Sequence, residues 1–145
     1  MSITHNIRAA RLDDAAELAR LFSELGHPAT EHEIRTRWKT WEGDGNVGIV
    51  VEGAGGTLIA AATLHRTVVL HRPKPIGRIS ALIVDSRHRG EGIGRALVAH
   101  AERRFRDEGC GSLEVTSNMR RTDAHAFYQH LGYDLTSARF LKTFA

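Results

Sequence analysis

The stretch Arg89-Gly90-Glu91-Gly92-Ile93-Gly94-Arg95 has residue types and spacing that could do chemistry. Its glycines remove the Cβ atoms that would hold a bulky anion away from the backbone. From Ile93 onward, Leu97, Ala101 and Phe105 recur at helical spacing, so the loop runs into a helix N-terminus. The unpaired N–H groups and positive dipole end found there favour a phosphate. Arg89 and Arg95 add cationic charge in the planar form that suits phosphate oxygens. Two other nucleotide motifs fit poorly. A P-loop needs a Gly-Lys pair, which this chain lacks. A dinucleotide loop belongs to an alternating parallel array, whereas this one follows strand-like segments arranged as an antiparallel meander. Glycines at such spacing also serve tight turns and helix packing, so the surrounding elements must decide.

Those elements are legible from periodicity. Ile3 to Ala10 is short and β-compatible, and Asp13-Asp14 with Glu17 reads as an N-cap signature. It opens a helix that carries Leu18, Leu21, Phe22 and Leu25 on one face and stops at Gly26 and Pro28. Ile34, Trp38 and Trp41 mark a second helix, preceded by Glu31, His32 and Glu33, whose charges suit a solvated face. Val47, Ile49 and Val51 alternate as a half-buried strand. Gly53 to Gly56 make a hairpin turn, and Leu58, Ala60, Ala62 and Leu64 return toward Val69. After Pro73 and Pro75 a third strand runs from Ile76 to Val84 into the loop. Beyond the loop helix and Gly109 come a buried strand from Leu113 to Thr116 and a helix with Ala124, Phe127, Tyr128 and Leu131, closed by Gly132. Thr122 or Asp123 suits its N-cap, and capping is the first reading for Asp123. A final strand is expected over Ala138 to Phe144.

At 145 residues the chain has the size of one domain, with no internal repeat or linker, so a single domain over 1–145 is expected. The lone Cys110 rules out an intrachain disulfide and suits a reducing cytoplasm. No apolar run approaches the ~20 residues of a membrane span, and no basic leader opens the chain. Lys and Arg number 20 against 17 Asp and Glu, a net +3 without a basic stripe, which argues against nucleic acid and suits a small anionic ligand. The nine histidines form no metal-binding pattern.

On three segments in order, the sequence resembles the GNAT acetyltransferase superfamily. Arg89-x-x-Gly92-x-Gly94 matches its signature of Arg or Gln, two residues, Gly, one residue, then Gly or Ala. Leu82-Ile83-Val84 precedes that signature at the family's spacing. Ala124-x-x-Phe127-Tyr128 followed by Leu131-Gly132-Tyr133 is similar to the family's terminal helix segment. The resemblance implies an α/β fold with a mixed, mostly antiparallel sheet of about six or seven strands, about four flanking helices, and a splay between the fourth and fifth strands. It also implies an N-acetyltransferase that uses acetyl-CoA as co-substrate. In that reading Leu82, Ile83 and Val84 pair with pantetheine amides, while Arg89, Gly90, Glu91, Gly92, Ile93, Gly94 and Arg95 wrap the pyrophosphate. Phe127 and Asn118 also contact the coenzyme; Asn118 suits a turn equally well.

The resemblance makes Tyr128 the catalytic candidate, set against a plain core role beside Phe127 and Leu131. Its phenol has a reference pKa of about 10 against about 8.5 for a thiol, so its help to the departing thiolate would come through hydrogen bonding. Many relatives place a carboxylate base on the strand before the loop, where this chain has Arg78-Ile79-Ser80-Ala81. His65 on the preceding strand is one substitute, and a water chain through Ser80 is another.

Ser117 to His125, Tyr133, the ending Arg139-Phe140-Leu141-Lys142, His65 and Ile76-Gly77 are similar to a branch that includes aminoalkylphosphonate N-acetyltransferases. The expected acceptor is a primary amine of a small molecule, with protein amines as an alternative. A non-catalytic acyl-CoA-binding or sensing module is a further alternative. Homodimers are frequent among proteins of this kind.

Overall fold

The computed structural model describes residues 6–117 and 121–145, which fall into two units, one ending at Val115 and one running from Thr116 to Ala145. In the first unit β1 (Asn6–Ala9) leads to helices α1 (Ala15–Leu25) and α2 (Glu31–Trp41). Strands β2 (Asn46–Glu52), β3 (Leu58–Thr67) and β4 (Ile76–Val84) follow, then helix α3 (Ile93–Asp107) and β5 (Ser112–Val115). The strands lie in chain order, antiparallel from β1 to β4, with β5 parallel to β4. Parallel neighbours require a crossover connection, and α3 provides it.

Alternation along the strands sorts side chains to two faces. Val50, Ala61 and Ile83 face a cluster with Leu18 and Leu21 of α1 and Ile34 of α2. The opposite face receives α3 so closely that a Cβ at Gly77 of β4 would stand 2.4 Å from Cγ of Phe105. Gly26, in the left-handed region at φ 97°, stops α1 and donates its N–H to Phe22 and Ser23 carbonyls. At the start of α2, the Glu33 N–H donates to Thr30 Oγ1 at 3.1 Å and the Thr30 N–H donates to Glu33 Oε1 at 3.0 Å, a reciprocal cap. Glu31, His32 and Glu33 thus lie within the helix rather than before it.

The expected cap at Asp13-Asp14 is corrected. Asp14 occupies the N-cap position of α1, but its side chain does not cap the helix. Its carboxylate accepts from Arg8 at 2.8 and 2.9 Å and from the Arg11 N–H at 2.9 Å. Charge-assisted, two-pronged bonding to a guanidinium outcompetes a single bond to a backbone amide. Although burial opposes it, the bonds from Arg8 and Arg11 hold the Asp14 carboxyl below its ordinary pKa.

In the second unit α4 (Thr122–His130) is closed by Gly132 at φ 93°. The strand expected over Ala138 to Phe144 does not form, so the sheet has five strands among the described residues in place of six or seven. A strand persists only with a ladder partner, and among the described residues none pairs with this segment. Leu135, Phe140, Leu141 and Phe144 remain exposed there. Four α-helices are present among the described residues, as expected.

Candidate functional site

The candidate site is built on one continuous piece of chain. The β4–β5 ladder covers only Ile76 to Ile79. From Ser80 to Val84, β4 is bonded to β3 on one side and has no strand on the other among the described residues. The register between β3 and β4 slips at the same place: Thr63 pairs with Ala81 and Leu64 with Ile79, leaving Ser80 as the extra residue of a bulge. The Ser80 hydroxyl lies 2.8 Å from Thr63 Oγ1. On the open segment Leu82 and Val84 are half-buried and Ile83 is buried against the α1 side.

Four residues later the chain enters the glycine loop. Gly90 and Gly92 take φ values of 80° and 79°, which L side chains rarely adopt, and a Cβ at either would meet nothing within 4 Å. Glycine is therefore needed there for conformation, and open space lies beside the backbone. Gly92 is the N-cap of α3, and its carbonyl accepts the Ala96 N–H at 3.1 Å. The N–H groups of Ile93, Gly94 and Arg95 precede the first intrahelical bond, leaving donors at the helix mouth. Arg89, Glu91 and Arg95 are exposed and Ile93 is buried. Open backbone, left-handed glycines, free helix N–H groups and two exposed guanidinium groups together fit a diphosphate.

His65 stands elsewhere on the sheet, opposite Arg78 and on the paired side of Ile79. Its Nδ1 lies 2.7 Å from Asn46 Oδ1, while the Asn46 amide nitrogen donates to the Trp41 carbonyl at 2.9 Å. That second bond fixes which way the Asn46 amide faces. Its oxygen can only accept, so Nδ1 of His65 carries the proton and Nε2 the lone pair. Burial, and then the charge of Arg78, push the His65 pKa below its ordinary value. The imidazole is thus a neutral acceptor at neutral pH.

In the second unit Tyr128 is half-buried between two aromatic neighbours, with ring centroids 5.1 Å from Phe127 and 5.9 Å from Tyr133. Burial raises its phenol above the ordinary tyrosine pKa, against the opposing charge of Arg121. Asn118 lies outside the described residues.

Two residues with site geometry escape a sequence reading. Asn46 lies nineteen residues from His65, and no local pattern links them. Asp85, 1% exposed, holds the start of the loop through Arg20 and Arg87. Its place between an apolar strand and a turn was the only local signal.

A mixed sheet whose fourth strand passes through left-handed glycines into a helix mouth defines a coenzyme-type acyl-transfer fold. Residues 12–133 match the acetyltransferase (GNAT) family, and the chain belongs to that family. It is an acyltransferase with acetyl-CoA as co-substrate. Among solved structures it is similar to a Trypanosoma brucei acetyltransferase, at 21% identity over 97% of this chain and 100% of that one, with a TM-score of 0.85. It is similar to glucosamine-6-phosphate N-acetyltransferase from Arabidopsis thaliana, at 23% identity over 99% and 100% of the two chains, with a TM-score of 0.83. A third likeness is to the aminoglycoside N-acetyltransferase AAC(6')-Iy in complex with CoA, at 17% identity over 97% of this chain and 94% of that one, with a TM-score of 0.82. These identities speak to fold. No curated protein sequence matches. Among the described residues no helix is long and apolar enough to cross a membrane.

Proposed function

We propose that the chain acts as one domain in a reducing cytoplasm and transfers an acetyl group to a primary amine of a small molecule, by direct attack in a ternary complex. The observation that carries this reading is the unbroken run of open β4 edge, glycine loop and α3 mouth. Acetyl-CoA brings the acyl group as an activated thioester. The outward backbone groups of Leu82 and Val84, on either side of Ile83, which faces β3, pair with the pantetheine amides, as an added strand would. The loop from Arg89 to Arg95 holds the pyrophosphate. Tyr128, kept protonated by burial, donates a hydrogen bond to the sulfur as negative charge develops. His65, neutral with a lone pair on Nε2, accepts the proton of the ammonium nucleophile directly or through water. Phe127 and Asn118 belong to the coenzyme site in the same reading.

A small acceptor is favoured by the modest +3 charge, which offers no basic stripe for a polymer. Two of the similar structures are N-acetyltransferases named for small molecules, glucosamine-6-phosphate and an aminoglycoside. The test is calorimetry with acetyl-CoA, followed by thiol release over aminoalkylphosphonates, aminoglycosides, polyamines and a lysine peptide. Saturable binding with turnover on a small amine is the expected result. Absence of binding overturns the loop assignment, and turnover confined to the peptide overturns the acceptor class.

A further inference from the structure

The mechanism above leaves unused a carboxylate that is almost wholly buried beside the loop. Asp85 follows β4 directly, and its N–H donates to the Ile59 carbonyl of β3 at 2.8 Å, so its backbone is fixed to the sheet. Its side chain, 1% exposed, accepts from Arg20 Nη1 at 2.8 Å, from the Arg87 N–H at 2.9 Å, and from Arg87 Nη2 and Nε at 3.0 and 3.2 Å. The Asp85 carbonyl accepts the His88 N–H at 2.9 Å, closing the turn that delivers Arg89. Arg20 is in turn held by Glu17 at 3.1 Å and Glu24 at 3.2 Å, and it donates to the Leu58 carbonyl at 2.6 Å. Glu24 also accepts the Ser86 N–H at 3.3 Å. Helix α1, the end of β4 and the turn into the loop are therefore joined through one carboxylate. Hydrogen bonds from Arg87, then Arg20, keep that carboxyl charged, well below the usual carboxylate range.

We propose that Asp85 is a positioning residue for acetyl-CoA: by tying the turn at Ser86 to His88 onto α1 through Arg20 and Arg87, it sets the direction in which the loop from Arg89 to Gly94 leaves the sheet. The proposal rests on the reading that this loop holds the pyrophosphate. A loop fixed before binding spares the ligand the conformational entropy of ordering it. Such a role acts on the diphosphate half of the coenzyme and leaves the pantetheine half to β4.

The experiment measures the dissociation constants of acetyl-CoA and of S-acetylpantetheine, which lacks the diphosphate and nucleotide, for wild type, Asp85→Asn and Arg87→Gln. The Arg87 side chain is 71% exposed, so its removal severs the tie to the turn without opening the core. Asp14→Asn is the control, because it breaks another buried carboxylate–arginine bond remote in sequence from the loop. Wild type is expected to prefer acetyl-CoA by at least a hundredfold. Asp85→Asn should cut that preference about tenfold or more and Arg87→Gln severalfold, with S-acetylpantetheine binding within about twofold of wild type. Asp14→Asn should lower the unfolding midpoint and keep the preference. An unchanged preference in both Asp85→Asn and Arg87→Gln, or equal weakening of both ligands, overturns the positioning role. Lack of preference in wild type overturns the pyrophosphate reading and this inference with it.

Discussion

In the roles proposed for them, Tyr128 and His65 make opposite demands on their surroundings, and their pKa values move in opposite directions. Burial keeps the phenol protonated past its ordinary pKa, so it is a donor at every pH at which the enzyme would be assayed. Tyr128→Phe should lower kcat by about a hundredfold, the low end for a positioned acid, with KM for acetyl-CoA little changed. Steady-state kinetics at saturating acceptor checks this, and an unaltered kcat would leave Tyr128 as a core aromatic. For His65 the sign runs the other way. Burial and Arg78 lower its pKa, so it is deprotonated at neutral pH and protonates only below its usual value near 6.5. The acidic limb of the kcat/KM profile should have its midpoint under pH 6.5 and vanish in His65→Ala. A limb that persists unchanged in that variant would assign the proton to another group. The tautomer set by Asn46 and Trp41 could not be read from the sequence, because three separate elements meet to make it.

Among the elements, α3 does two jobs: its mouth closes the glycine loop and its far end seats Phe105 on β4 at Gly77. Gly77 has an ordinary negative-φ backbone, so its need for glycine is purely one of approach. Gly77→Ala should cost about 1–3 kcal/mol through overpacking, and Phe105→Leu in the same chain should recover part of it. Urea unfolding of Gly77→Ala, Phe105→Leu and the double variant checks the pair, and additive losses would deny the contact. The faces of α1 and α3 and the alternation of β2 were legible because one period holds along each segment, whereas extra residues at Ile59 in β3 and Ser80 in β4 break it. The C-terminal segment was not, since Phe140 and Leu141 adjoin and a strand depends on a partner that no local pattern supplies. The cap expected at Asp14 fails for a related reason. The competing guanidinium of Arg8 lies before the helix and is brought to it by the turn between them.

For the whole molecule, ligand binding and folding are linked. Acetyl-CoA at a hundred times its Kd should add about 2.7 kcal/mol, or roughly 10 °C in the thermal midpoint of a chain this size. Differential scanning fluorimetry with acetyl-CoA and with S-acetylpantetheine at equal multiples of Kd checks it; a flat midpoint with acetyl-CoA would mean that unfolding does not release the ligand. The loop was readable because its parts adjoin in sequence. The tether beneath it was not, since Arg20 and Asp85 lie sixty-five residues apart and meet only once α1 packs on the sheet.

The order of strands in the sheet bears on how the protein is made. Because β1 to β4 stand side by side in the order of translation, they can zip together while Arg89 and everything after it are still inside the ribosome. The fifth strand arrives only after a fifteen-residue helix has emerged and folded. Until then the whole outer margin of the fourth strand is bare on the nascent chain, and a translational pause in that interval would expose it to chaperones and to other unfinished copies.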